Sequence, residues 1–170
     1  MVEMHLVAVR VELPTNTPVV LLQENHSPER TLPIFVGTPE ATAIAYALQG
    51  IVTPRPMTHD LIRDLLTAGD IQITSTVITE LRGSTYFAEI NLQKGEHCFT
   101  VSARPSDAIA LAARTETPIY ADEDLIESEG VLLVGDDLDD EAPEMTEELV
   151  SQFRDFINEV SPEDFTPPAP

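Results

Sequence analysis

Residues 4–12 alternate, with Met4, Leu6, Ala8 and Val11 set against His5, Arg10 and Glu12, and Val7 and Val9 on a second face. A period of two predicts a half-buried strand. Pro14, Asn16 and Pro18 form a turn, and Val19 to Gln23 reads as the next strand. A polar loop, Asn25 to Arg30, leads to a third strand from Leu32 to Val36, where Pro33 indicates an edge or a strand start. The period then changes. Thr38, Pro39 and Glu40 open a helix, Ala41, Ile44, Ala45 and Leu48 recur at helical spacing, and Gly50 fits the position after its end. Thr58 is the expected cap of a second helix ending at Gly69. Ile71 to Leu81, Thr85 to Leu92 and Cys98 to Ala103 are rich in strand formers, and the turns Arg82-Gly83-Ser84 and Lys94-Gly95-Glu96 separate them. They read as an antiparallel meander. Ser106 is the expected cap of a third helix, to about Arg114. Pro118 to Tyr120, a helical turn at Glu123 to Glu127, and Val131 to Val134 follow.

Strands and helices do not alternate strictly, so the pattern predicts an α+β fold. The expected architecture is a mostly antiparallel, twisted sheet with about three packed helices, plus a C-terminal amphipathic helix. The boundaries are a domain over 1–134, an acidic linker over 135–145, and a helix with a Pro-rich tail over 146–170. In that last helix Leu149, Val150, Phe153, Phe156, Ile157 and Val160 form an apolar stripe. A lone helix with such a stripe is marginal in water and must dock. Its own domain, a second subunit and a foreign protein partner are the three options.

Charge changes the picture of partners. The chain of 170 residues has 30 acids against 9 bases, a net charge of −21. Residues 1–134 carry 18 acids and 8 bases, whereas 135–170 carry 12 acids and 1 base. Affinity for nucleic acid rests on Lys and Arg neutralising phosphates, so this balance argues against tight non-specific binding. It leaves room for a local basic cleft. No apolar run approaches the roughly 18 residues of a membrane span. Cys98 is the one cysteine, which rules out an internal disulfide and a thiolate zinc site. A cytoplasmic location is the expectation.

Candidate chemistry lies in a repeated pattern. Arg55-Pro56-Met57-Thr58-His59-Asp60 and Arg104-Pro105-Ser106-Asp107 each set an arginine and a proline before a helix start. Helix starts present free N–H groups and a positive dipole end, and an arginine adds a permanently charged planar fork. Two such units would make two halves of an anion site. In that reading Arg55 and Arg104 hold a phosphate and His59 is a general acid or base. Asp60, Asp107 and Glu40, with Glu80 as a further candidate, would supply oxygen ligands suited to Mg²⁺ or Mn²⁺. The same residues have a plain structural reading: caps, first-turn acids that complement the dipole, and ion pairs such as Arg104 with Glu40 or Asp60.

Three motifs in order carry a resemblance. They are Leu32-Pro33-Ile34-Phe35-Val36-Gly37 with Glu40-Ala41 and Ala43-Ile44, then Arg55-Pro56 with Thr58-His59-Asp60-Leu61, then Ala103 through Ala112. Over about residues 3–134 the chain resembles the bifunctional nuclease domain family. Phe153-Arg154-Asp155-Phe156 through Pro162-Glu163-Asp164-Phe165 is similar to the extension of actinobacterial members. The resemblance implies an α+β domain, a homodimer, and DNase and RNase activity as in plant members. Two function classes follow: a metal-assisted nuclease acting on DNA or RNA, and a non-catalytic binding or regulatory module with a small-anion site. They part on geometry. Arg55, His59, Arg104 and Asp107 opening into one cleft favours the first, and arginines buried in pairs with carboxylates favour the second.

Overall fold

The computed structural model describes residues 1–13, 15–26 and 30–132. The expected acidic linker, the C-terminal helix and the end of the last strand lie outside the described residues. Among the described residues seven strands run in the order β1 (Val2–Glu12), β2 (Thr17–Glu24), β3 (Thr31–Phe35), β4 (Gln72–Arg82), β5 (Thr85–Lys94), β6 (His97–Ala103) and β7 (Ile119–Ala121). The helices α1 (Thr38–Leu48) and α2 (Thr58–Ala68) separate β3 from β4; α3 (Pro105–Thr115) separates β6 from β7, and α4 (Glu123–Glu129) follows β7. The strands form one sheet in the order β3-β2-β1-β7-β4-β5-β6. Every pairing is antiparallel except β4 with β7. The fold is α+β, as the mixed periodicity implies.

The phase of β1 departs from simple alternation. A bulge between Leu6 and Ala8 sets Val7 out of register with β2. One extra residue swaps the faces. Met4 faces the core before the bulge, and Val9 and Val11 face it afterwards, at 6% and 2% exposure. The expectation that Ala8 belongs with the core set and Val9 with the second face is therefore corrected by the bulge. Val20 and Leu22 of β2 lie beside Ile34 and Leu32 of β3 and join that core, with Ile44 of α1, Ile109 of α3 and Ile126 of α4. Val19 to Leu22 is paired on both sides, with β1 and β3. The edges are β3 and β6. Pro33 sits on the first, where a missing N–H is tolerated. The outer side of β3 takes a bridge from Val131 to Thr31.

The helix starts lie one or two residues before the expected caps. Gly37, Met57 and Arg104 are the N-cap residues, and none caps through a side-chain hydrogen bond. Thr38 and Thr58 are therefore the first residue of their helices, and Ser106 is the second of its own. Pro39 and Pro105 lie within the first two helical positions, where their fixed φ suits a helix and their missing N–H has no role. In α2 the Asp60 carboxylate accepts the Met57 N–H at 3.1 Å, so an acid replaces the threonine as the local stop. At the other end of α1, Gly50 has φ 63°, the left-handed region that glycine enters without a Cβ penalty.

A candidate active site where three helices start

Arg104 precedes α3 and spans two carboxylates. Its Nε and Nη2 donate to Asp107 at 2.7 and 2.9 Å, and its Nη1 donates to Glu40 at 2.8 Å. Glu40 belongs to the first turn of α1, so this one guanidinium ties two helix starts together. The third start joins through His59, in the first turn of α2, whose Nε2 lies 3.0 Å from Asp107 Oδ1. Four side chains from positions 40, 59, 104 and 107 thus form one hydrogen-bonded cluster.

Burial opposes ionisation of Asp107, but the Arg104 and His59 hydrogen bonds outweigh it and hold the carboxyl below its usual range. Asp107 is therefore an ionised, acceptor-only group. The hydrogen on the bond to His59 therefore belongs to the imidazole Nε2. His59 is itself buried, at 7% exposure, while the Arg104 side chain is 64% exposed. The same two carboxylates push the Arg104 pKa upward. A Cβ on Gly37 would collide with Glu40 Oε2, so a glycine before α1 leaves room for that carboxylate to fold back over the helix start. Beside the cluster opens a cleft of about 360 Å³ whose lining includes Gly37, Glu40, Arg104, Ser106 and Tyr86. Burial, with Glu129 nearby, pushes the Tyr86 phenol up, which keeps it a neutral hydrogen-bonding group.

Asp60 and Arg55 take no part in the cluster's hydrogen bonds. Asp60 accepts from Arg114 Nε at 2.8 Å, with Arg63 Nη1 at 3.7 Å. Burial raises its pKa, and the Arg114, Met57 and Arg63 interactions more than reverse that. Arg55 is exposed, and its guanidinium has no hydrogen bond or ion pair among the described residues; its carbonyl accepts from Thr53 Oγ1 at 2.6 Å. Glu80 pairs with Arg82 on the surface. Among the described residues no three His, Cys, Asp or Glu side chains are grouped to hold a metal ion. The reason is visible in the cluster: a guanidinium already stands between Glu40 and Asp107.

Sequence reading missed Arg114, Arg63 and Tyr86. Arg114 lies seven residues after Asp107, two turns along one face of α3, a spacing that would have placed it near the α2 start. Tyr86 carries no comparable signal, because only the sheet register brings it to the cleft.

The model of the bifunctional nuclease domain matches residues 20–133, which contain all three motifs. The chain belongs to the bifunctional nuclease domain family. An uncharacterized protein of Mycobacterium tuberculosis is 43% identical over 164 residues, covering 96% of this chain and 97% of its own. That match runs through the acidic segment and into the C-terminal stretch. Among plant proteins, Bifunctional nuclease 2 of Oryza sativa is 27% identical over 117 residues and Bifunctional nuclease 1 of Arabidopsis thaliana 24% over 120. Those matches cover 67% and 69% of this chain but only 36% and 37% of the plant proteins. The likeness to these proteins named as nucleases thus covers about two thirds of this chain. Among the described residues no helix is long and apolar enough to cross a membrane.

Proposed function

We propose that this member of the bifunctional nuclease domain family hydrolyses phosphodiester bonds of DNA and RNA at the Glu40–His59–Arg104–Asp107 cluster. The observation that carries the reading is the assembly of those four side chains, from three separate motifs, with Glu40 and Arg104 on the wall of an open cleft. Arg104 uses three N–H groups on carboxylates and keeps two for the non-bridging oxygens of a phosphate, where charge grows in the transition state. Glu40 Oε2 makes no hydrogen bond among the described residues and is the acceptor for the proton of an attacking water. The water oxygen bonds to phosphorus as the bond to the leaving oxygen breaks. His59 and Asp107 hold Arg104 in place. His59 is too enclosed to meet the substrate directly.

The Mg²⁺ or Mn²⁺ expected from the sequence does not fit the side chains as they are placed, since Arg104 bridges the two carboxylates and Asp60 serves Arg114. No step is assigned to a metal. A second reading, a binding module without hydrolysis, is favoured by one feature. Arg104 is matched by two carboxylates, so these three groups together carry one net negative charge.

Labelled DNA and RNA oligonucleotides, incubated with highly purified protein in EDTA, Mg²⁺ or Mn²⁺, separate the two. Cleavage that falls at least tenfold in Arg104→Ala and Glu40→Gln supports hydrolysis at the cluster. Cleavage equal in all variants indicates a contaminant. Binding without cleavage supports the module.

A further inference from the structure

The helices cover the sheet only in part. α1 packs on β1 and β2, α3 packs on β4 and β5, and α2 packs on α3. Burial along the rows that cross the sheet shows where the cover ends. Ile90 of β5 is 7% exposed and its partner Val101 on β6 is 46% exposed. Leu92 is 6% exposed and its partner Phe99 is 42% exposed. Directly opposed residues share a face, so Phe99 and Val101 extend the face on which the helices lie. No residue of β6 is buried. We propose that residues 146–160 of the same chain dock as a helix on this uncovered face of β6.

Chemistry, size and reach point to that occupant. Leu149, Val150, Phe153, Phe156, Ile157 and Val160 fall on one side of a helix, and Glu147, Glu148, Asp155 and Glu159 fall on the other. The strand His97–Ala103 contains no Asp, Glu, Lys or Arg, so the apolar side meets an uncharged floor and leaves its acids in water. A helix over 146–160 is about 22 Å long at about 1.5 Å per residue. The seven residues of β6 span about 24 Å at about 3.4 Å each, so the two lengths match. The described chain ends beside the opposite edge, where Val131 bridges Thr31 of β3. From β3 to β6 is six strand spacings, about 29 Å at about 4.8 Å each. Residues 133–145, when extended, span about 43 Å at about 3.3 Å each, enough to cross the sheet. Attachment to the same chain gives the segment a local concentration of roughly millimolar, which a separate partner must exceed to displace it. The helix takes the face of β6 and leaves its edge backbone free.

Hydrogen exchange on the full chain tests the docking. Relative to their intrinsic rates, amides of 149–160 are expected to exchange at least tenfold more slowly than those of 136–144. Phe99→Asp with Val101→Asp is expected to remove that protection. Leu13→Asp, an exposed leucine in the β1–β2 turn, is expected to leave it unchanged. An unaltered exchange pattern in β1–β5 reports that the domain of the β6 variant is intact. A second measurement needs no change in the domain. Phe153→Asp with Phe156→Asp is expected to raise hydroxyl-radical labelling of Phe99 at least threefold, because the floor is uncovered. Unprotected amides over 149–160 in the parent, protection that survives the β6 variant, or unchanged labelling of Phe99 overturns the proposal. Protection that disappears as the protein is diluted from dimer to monomer assigns the segment to a second copy and overturns docking within one chain.

Discussion

At the scale of single residues, the acids define how the protein responds to pH. Asp107, Asp60 and Glu24 all have folded pKa values below their ordinary ones of 3.8, 3.8 and 4.5. For Glu24 the main cause is the side-chain bond to Arg30, with Nε at 3.0 Å and Nη2 at 2.8 Å. An acid with a depressed folded pKa binds more protons unfolded than folded as pH falls. Its stabilisation is complete above the unfolded pKa and is lost as pH drops through the folded one. The melting temperature is therefore expected to hold level above about pH 5 and to fall steeply below pH 4. Asp107→Asn should lie below the parent at pH 7 and approach it at pH 3; parallel curves would show that Asp107 is not among the causes. A second residue runs the other way. Thr76 in β4 is fully buried and its hydroxyl has no partner among the described residues. Thr76→Val keeps the shape and removes an unmet polar group. It should raise stability by about 1 kcal/mol in urea unfolding.

At the scale of elements, periodicity, strand-forming residues and turn signals identified every strand and helix of the described residues; most bury one face and the pattern records it, whereas β6, which has no buried residue, was marked by its composition and flanking turns. Bulges and caps were harder. Nothing in Val7 marks the bulge that exchanges Ala8 for Val9 in the core, because register depends on the partner strand β2. The caps slipped for another reason: Thr58 looks like an ideal cap, yet Asp60 does that work from within the helix. For the site, the helix-start motifs marked Glu40, His59, Arg104 and Asp107 as candidates, and only tertiary packing separates Asp60 and Arg55 from them. The alanines explain that packing. Ala41 and Ala45 of α1 and Ala108 and Ala112 of α3 are all nearly or fully buried, and α1 packs on α3. Small side chains let the helices approach, and the approach brings Glu40 within reach of Arg104. Ala112→Leu is expected to cost about 1–3 kcal/mol in thermal or urea unfolding. An unchanged midpoint would show spare room between the helices.

At the scale of the whole molecule, β6 is the sheet edge that no other strand of the described residues covers. The other edge, β3, takes backbone bonds from Val131 at 2.7 and 2.9 Å. On β6, Phe99 and Val101 lie opposite Leu92 and Ile90 and continue their buried face, yet stand 42% and 46% exposed. Unpaired edge backbone beside apolar side chains is a template for another strand. The strand His97-Cys98-Phe99-Thr100-Val101-Ser102-Ala103 contains no Asp, Glu, Lys or Arg. In a chain of net charge −21, two copies would repel over most of their surface, and this neutral strip would let them meet. Antiparallel pairing about Thr100 sets Phe99 of one copy against Val101 of the other, a closed two-fold contact that joins two sheets into one. The homodimer implied by the family resemblance is thus expected to form through β6. Light scattering at micromolar concentration should give twice the chain mass for the parent and a single chain for Val101→Lys. Opposed antiparallel residues have Cα atoms about 4.5–5.5 Å apart, within disulfide range. In a Cys98→Ser background, Thr100→Cys should then form an interchain disulfide on mild oxidation, while Cys at position 84, in the β4–β5 turn, should not. A parent monomer, or a dimer that survives Val101→Lys, would remove β6 as the interface.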